Sequence, residues 1–371
     1  MPPLPPSSDP TALYVHIPFC HRECPYCAFY KHTPGATDIR GFVQAVGKEA
    51  QLRLPTGFAP RTIYFGGGTP SMLSPRHLEL LVEGLRRHVD TTHAVEWSFE
   101  ANPATFTPAK AEQWRRLGIT RVSLGAQSFE PHLLRLLGRE HSPEQIADSV
   151  QLLRSVGIPQ VNLDLMFCLP DQSEEHWRHT LQAAIDLAPD HISTYSLTLE
   201  PDTPYAAAYP APDEETEVRL YTLAHELLTA AGYRHYEISN YARTAAVRSL
   251  HNLSCWRGES YYGLGPGACG TIGHTRYTNA PNTAAYTAAL LAGQLPPAAV
   301  EELTPEQRLM EQVALRLRMD EGLPTAMLPP GCAPTLHRLC EAGYATLSSG
   351  GSLILTPQGM LLADEIATAL L

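Results

Sequence analysis

The sequence predicts an α/β protein: a partial (βα)6 barrel of the TIM type followed by a small C-terminal α+β domain of winged-helix character. Three observations carry this. From residue 13 a unit recurs six times, consisting of a short β-branched or aromatic run, a Gly/Pro/Asn loop and a stretch of helical period. Near Tyr233 that rhythm gives way to a Gly/Tyr/His-rich tract. Beyond residue 300 the pattern becomes helix, helix, hairpin, helix. The six strands are expected at Leu13 to Ile17, Thr62 to Phe65, Val95 to Phe99, Arg121 to Gly125, Val161 to Met166 and Ile192 to Leu197. Amphipathic helices such as Arg76 to Val89 and Glu174 to Leu187 follow them. Parallel strands need right-handed helical crossovers, and such a sheet carries its reactive groups at the strand C-terminal ends. The barrel should therefore span residues 13–232, and residues 233–300 should cap its mouth. In the last segment, 301–371, helices are expected at Leu303 to Met319 and Pro334 to Gly343, with a hairpin over Ala345 to Thr356 turning at Ser-Ser-Gly-Gly.

Composition narrows the function classes. A chain of 371 residues makes about two domains. With 44% hydrophobic and 18% charged residues it is an ordinary globular sequence rather than a disordered or fibrous one. The net charge of −11 provides no basic field for nucleic acid or an anionic membrane. Residues 301–371 carry four Arg against nine Asp/Glu, which disfavours the DNA-binding use of a winged helix and suits a lid or a docking element. Residues 1–12 lack the charged and apolar regions of a secretory signal and read as a disordered leader, so the cytoplasm is expected. No run of about 18 apolar residues offers a membrane span. Eight cysteines are too few for a disulfide framework, and three of them crowd into positions 20, 24 and 27.

That cluster, Cys20-His-Arg-Glu-Cys24-Pro-Tyr-Cys27, follows the first strand and can wrap three thiolates around one inorganic centre, zinc or an iron–sulfur cluster. A structural zinc wants four ligands and no second Cys-x-x-Cys knuckle follows, so His16, His21 or His32 would have to complete the set in a zinc-stabilised interaction module. The C-x3-C-x2-C loop resembles the signature of the radical S-adenosylmethionine (SAM) superfamily. In that family three cysteines hold a [4Fe-4S] cluster and SAM chelates the fourth iron. Tyr14-Val-His-Ile-Pro-Phe, Phe65-Gly-Gly-Gly-Thr-Pro70 and Leu124-Gly-Ala-Gln-Ser-Phe129 extend the resemblance to its coproporphyrinogen-oxidase-like branch.

Gly66-Gly67-Gly68 lies between a strand and a helix, where backbone can approach a ligand closely. The resemblance implies that Gly67, Gly68 and Thr69 contact SAM. Glu100 ends the third strand, where a carboxylate can accept from an ammonium group. Gln127, Arg139 and Asp164 match family positions for ribose or carboxylate contacts, and Asp164, inside an apolar strand, requires a hydrogen-bonded partner. Tyr14 and Tyr26 match positions beside the cluster and nucleoside, and Ser196 and Cys269 align with further SAM contacts.

The oxidases of this branch carry a fourth cysteine and a long N-terminal extension. Here Phe29 occupies that cysteine position and the cluster begins after nineteen residues. His251-Asn-Leu-Ser-Cys-Trp256 resembles instead the H-N-x-x-Y-W tract of the HemW heme chaperones, with Cys255 where that tract has tyrosine. The resemblance implies a protein that binds heme and hands it to an acceptor such as a respiratory protein, with an electron donor serving the cluster. His251 is the expected axial ligand and Trp256 a flat face for the macrocycle. The alternative is a radical enzyme decarboxylating a porphyrinogen. Cys168, Cys332 and Cys340 are expected to pack, and a homodimer is left open.

Overall fold

The computed structural model describes residues 9–371. Most of the expected leader, residues 1–8, lies outside the described residues. Its last two positions already belong to the barrel, because Thr11 N–H donates to Ser260 O at 3.1 Å and the first strand starts at Ala12.

The first part of the chain runs β1 (Ala12–Ile17), α1 (Ile39–Arg53), β2 (Thr62–Gly67), α2 (Pro75–Arg86), β3 (Glu96–Ala101), α3 (Pro108–Leu117), β4 (Arg121–Gln127), α4 (Pro131–Leu136), α5 (Pro143–Ser155), β5 (Gln160–Phe167), α6 (Glu174–Asp186), β6 (His191–Ser196), α7 (Pro204–Ala208) and α8 (Glu214–Ala230). All six expected strands are present and pair in parallel in chain order. Local chemistry sets the helix starts. Ser74-Pro75, Thr107-Pro108 and Ser142-Pro143 place a hydroxyl cap before a proline that has no N–H to leave unsatisfied.

Strand parity separates two environments. Val15, Ile63, Phe65, Phe99, Val122, Leu163 and Ile192 face outward and are buried with Leu78, Leu81, Trp114 and Trp177 of the covering helices. The alternate positions are polar and meet in the lumen: Tyr14, Tyr64, Glu100, Ser123, Asp164 and Tyr195. The sheet must curve for this to happen, since Tyr64 on β2 lies in the electrostatic field of Asp164 on β5 and Tyr195 on β6.

The next segment contains β7 (Arg234–Glu237), β8 (Asn240–Ala242), α9 (Leu250–Trp256), β9 (Tyr261–Leu264), β10 (Cys269–Ile272), β11 (Thr275–Asn279), α10 (Thr283–Leu291) and β12 (Ala298–Glu302). Its strands extend the sheet at both edges, giving twelve strands in the order β12-β11-β10-β9-β1-β2-β3-β4-β5-β6-β8-β7. This differs from the expected cap on the mouth. Leu250 and His251 donate their backbone N–H groups to Glu96 at 2.9 Å each, and His251 Nδ1 bonds Thr62 Oγ1 at 3.0 Å. Glu96 and Thr62 open their strands, so α9 closes the floor of the barrel. Turn residues and Gly/Tyr content look alike for a lid and for edge strands, and the segment serves both ends, with α9 at the floor and Thr283 bonded to Tyr30 and His32 beside the cysteine loop.

The last segment comprises α11 (Pro305–Arg316), β13 (Leu323–Pro324), α12 (Ala333–Glu341), β14 (Ala345–Leu347), β15 (Ser352–Leu355), α13 (Pro357–Met360) and α14 (Ala363–Leu370), with a three-stranded sheet ordered β13-β15-β14. It is joined to the barrel through Ile238 N–H, which donates to Arg318 O at 2.9 Å. Among the described residues no helix is long and apolar enough to cross a membrane.

Candidate cofactor site

The cysteine loop leaves β1 and is tied at both ends, by His32 N–H to Pro18 O at 2.8 Å and Cys20 N–H to His32 O at 3.0 Å. The glycine turn after β2 seats against it, with Gly68 N–H donating to Ile17 O and Thr69 N–H to Phe19 O, both at 2.8 Å. A Cβ on Gly68 would stand 2.8 Å from Phe19 O and 2.9 Å from Ile17 O, so glycine is required here for loop and turn to approach. Cys20 is buried and lies 3.5 Å from Thr69 Oγ1, and burial pushes its thiol up to about 11. Arg139 Nη1 donates to Cys24 Sγ at 3.7 Å. Tyr26 lies in the fields of Arg139, Cys24 and Cys27, and its phenol is raised chiefly by burial.

Two of the three histidines that zinc would call on are engaged elsewhere. His16 uses both ring nitrogens, on Tyr30 O at 2.7 Å and Tyr14 Oη at 3.1 Å. His32 likewise uses both, on Thr33 O and Thr283 Oγ1 at 2.8 Å each. Zinc–sulfur bonds of about 2.3 Å would hold the sulfurs roughly 4 Å apart. The three cysteine sulfurs do not lie within 4.8 Å of one another, a wider spread that suits the separate corners of a polynuclear cluster.

Above the floor the polar lumen gathers most of the expected SAM residues. Glu100 accepts from Tyr64 Oη at 2.8 Å and from Gly67 N–H at 3.2 Å. It is raised to about 7, first by burial and then by Asp164, against the lowering effect of the Tyr64 hydrogen bond. Asp164 has the partners its position demands, Ser123 Oγ at 2.8 Å and Asn162 Nδ2 at 2.7 Å. Gln127 sits at the β4 bulge with φ +65°, a left-handed conformation that costs about 1 kcal/mol or more in a non-glycine residue. Arg139 is anchored to Gly125 O at 2.6 Å, and its buried Nε has no partner.

These observations fit SAM. Two lumen carboxylates face one guanidinium, leaving surplus negative charge, and SAM brings an ammonium, a sulfonium and one carboxylate, a net charge of +1. Glu100 would hold the ammonium, and the unpaired Arg139 Nε would take the carboxylate. Cys20, Cys24 and Cys27 would ligate the cluster, which when bound supplies one-electron chemistry and an open iron.

Three expected residues lie elsewhere. Ser196 shares the outward parity of Ile192 and Thr194 and lines a cavity of about 300 Å³ with Tyr221, Arg318 and Met360, away from Tyr195 and the lumen. Cys269 on β10 groups with Tyr261 of β9 and Cys255 of α9. His251 is 5% exposed, with Thr62 on its Nδ1 and the Tyr64 ring 5.0 Å away, and burial lowers it to about 4. In this arrangement its imidazole has no open face for a porphyrin, and Trp256 packs against the cluster of Tyr236, Leu253 and Met319. Sequence reasoning in turn missed Tyr64 and Gly125. Period-2 parity with Glu100 and Asp164 would have found Tyr64. Gly125 is required because a Cβ there would fall 2.4 Å from Arg139 Nη2 and 3.0 Å from Gln127 Nε2.

An open parallel barrel with a polar lumen and three thiols beside a glycine turn defines a radical SAM protein, and the family model described as the Radical SAM superfamily matches residues 14–184. The Escherichia coli coproporphyrinogen III oxidase HemN, a radical SAM enzyme, superposes with a TM-score of 0.82 over 98% of this chain and 90% of that one at 24% identity, a likeness of fold. Proteins named heme chaperone HemW are closer in sequence. That of Mycobacterium tuberculosis is 35% identical over 98% of this chain and 95% of its own, and that of Bacillus subtilis 32% over 96% and 98%. The E. coli HemW is 39% identical over 71% of this chain and 70% of its own. The chain belongs to the HemW heme chaperone family.

Proposed function

We propose that this protein is a cytoplasmic heme chaperone that binds heme, a [4Fe-4S] cluster and SAM, and passes the heme to an acceptor protein, with a separate electron donor serving the cluster. The observation that carries this reading is the likeness to proteins named heme chaperone over nearly the whole length of both chains. The site agrees with it in two respects. Phe29, 70% exposed, stands where the oxidases of the branch carry a further cysteine. Beside the cysteine loop the partly buried Tyr26 and Tyr209 border the buried apolar group of Leu133, Leu137, Met166, Leu169 and Leu197, so aromatic rings suited to a flat macrocycle stand at the mouth. Heme is therefore expected at the mouth rather than on His251.

The test is an anaerobic heme titration of the cluster-loaded protein, followed by the Soret band. Near-stoichiometric binding, retained in His251→Ala, supports the proposal with heme away from the floor. Failure to retain heme at any ratio overturns it. Substrate-dependent release of 5′-deoxyadenosine from a porphyrinogen would instead establish the radical enzyme.

A further inference from the structure

Outside the lumen, one group of side chains has the composition of a metal site. Glu130 lies between β4 and α4, His132 on α4 and His176 in the first turn of α6. One ligand atom from each lies within 4.8 Å of the other two, the one such trio among the described residues. The His132 and His176 rings are 4.6 Å apart between centroids, and His132 Nδ1 is 3.8 Å from Glu130 Oε2. A fourth residue supports the carboxylate from behind: His179 Nδ1 donates to Glu130 Oε1 at 2.7 Å. Glu130 is held down, its side chain only 18% exposed, while His132 is reachable from solvent.

We propose that Glu130, His132 and His176 form a second, mononuclear metal site for a borderline-soft divalent transition ion, with zinc as the best match, and that His179 orients the carboxylate. The donor set supports this assignment. Two neutral imidazoles and one carboxylate are ligands for zinc rather than for calcium or magnesium, which take oxygen. Three protein ligands leave a position for solvent, as in exchangeable zinc sites rather than closed structural ones. The contact from His179 to Glu130 is the outer hydrogen bond that commonly fixes a ligating carboxylate. In the present arrangement Ser173 N–H donates to His176 Nδ1 at 3.2 Å.

The position gives such an ion a consequence. Glu130 follows Gln127 by three residues, and α6 follows β5, which carries Asp164. Thr180 of α6 is already bonded to the chain just before Glu130, at Ser128 Oγ and Phe129 N, both 3.2 Å. An ion would fasten α4 to α6 at the rim of the barrel and stiffen the two strand ends that face SAM. It would not require the cluster cysteines.

The probe is zinc alone, measured by equilibrium dialysis and metal analysis on the cluster-loaded full chain. Iron is counted in parallel, so that zinc entering the cysteine loop is recognised by iron loss. The expected result is one zinc per chain with iron unchanged, abolished in His132→Ala/His176→Ala and weakened tenfold or more in Glu130→Gln. A second reading is the thermal midpoint, which zinc should raise in the wild type and not in the double variant. His132 and His176 are partly solvent-exposed, and retention of the iron–sulfur absorbance shows that the variant is folded. Should it lose that absorbance, His132→Gln, which keeps His176 and its cap, takes its place. Equal zinc binding by wild type and variants, zinc bound only at the expense of iron, or no binding at millimolar zinc overturns the proposal.

Discussion

Glu100→Gln separates binding from folding, because the same carboxylate that suits SAM destabilises the empty barrel. Glu100 is buried and raised from 4.5 to about 7, which corresponds to about 3 kcal/mol between the two protonation states. The folded value lies above the unfolded one. Stability from the protonated form is therefore complete below about pH 4.5 and is lost as pH rises through 7. Glutamine keeps the acceptor for Tyr64 and has no charge to desolvate. At pH 8 the ligand-free variant should be more stable than wild type by about 3 kcal/mol, a rise of roughly 5 °C in midpoint, and near pH 4.5 the two should coincide. SAM binding moves the opposite way. Losing one charge-assisted contact to the ammonium costs about 2 kcal/mol, a weakening of ~30-fold. In wild type, SAM affinity should fall about tenfold per pH unit below 7 as Glu100 takes up a proton, and the variant should lack that dependence. Melting curves at the two pH values and calorimetric SAM titrations of the cluster-loaded protein read both effects. A variant that is less stable at pH 8, or that binds SAM as tightly as wild type, would refute the assignment.

Three further outcomes follow from the same geometry. Cys20→Ala, Cys24→Ala and Cys27→Ala should each abolish the iron–sulfur absorbance after reconstitution, and a retained chromophore would displace the ligand assignment. Glu96→Gln should cost about 3–5 kcal/mol in urea unfolding, because buried Arg121, 3.3 Å from that carboxylate, loses its counter-ion and one of the two α9 N–H groups loses its acceptor oxygen. Gly125→Ala should weaken SAM binding by tenfold or more while the cluster still assembles, since the added methyl displaces Arg139, which gives up its contact to Cys24 but is not itself a cluster ligand.

Much of this architecture is written in periodicities that sequence displays. The six strands are legible because each alternates apolar and polar residues between Gly/Pro punctuation, and the helices because Ser-Pro and Thr-Pro pairs mark their starts. The cysteine loop is legible because nearby residues carry its spacing. What sequence did not show depends on curvature. Tyr64, Asp164 and Tyr195 meet only because the sheet bends, and nothing local in the chain says that β2 faces β6. Ser196 was placed in the site by position along the chain, yet one residue of strand parity turns it outward. His251 and Trp256 form a recognisable tract, but whether a helix closes the floor or the mouth is decided by Glu96, more than 150 residues away. The imidazole-carboxylate group on α4 and α6 was invisible for the same reason, with His132 and His176 separated by a whole βα unit.

Transfer of heme is the most direct test of the account. Cluster-loaded protein carrying one equivalent of heme is mixed with an apo heme-acceptor protein, and the two are separated and read by their Soret bands. The account predicts that heme leaves the chaperone for the acceptor faster than free heme enters it, without 5′-deoxyadenosine accumulating in proportion. Heme that stays on the protein or reaches the acceptor no faster than free heme, or that moves only with stoichiometric SAM cleavage, would contradict it.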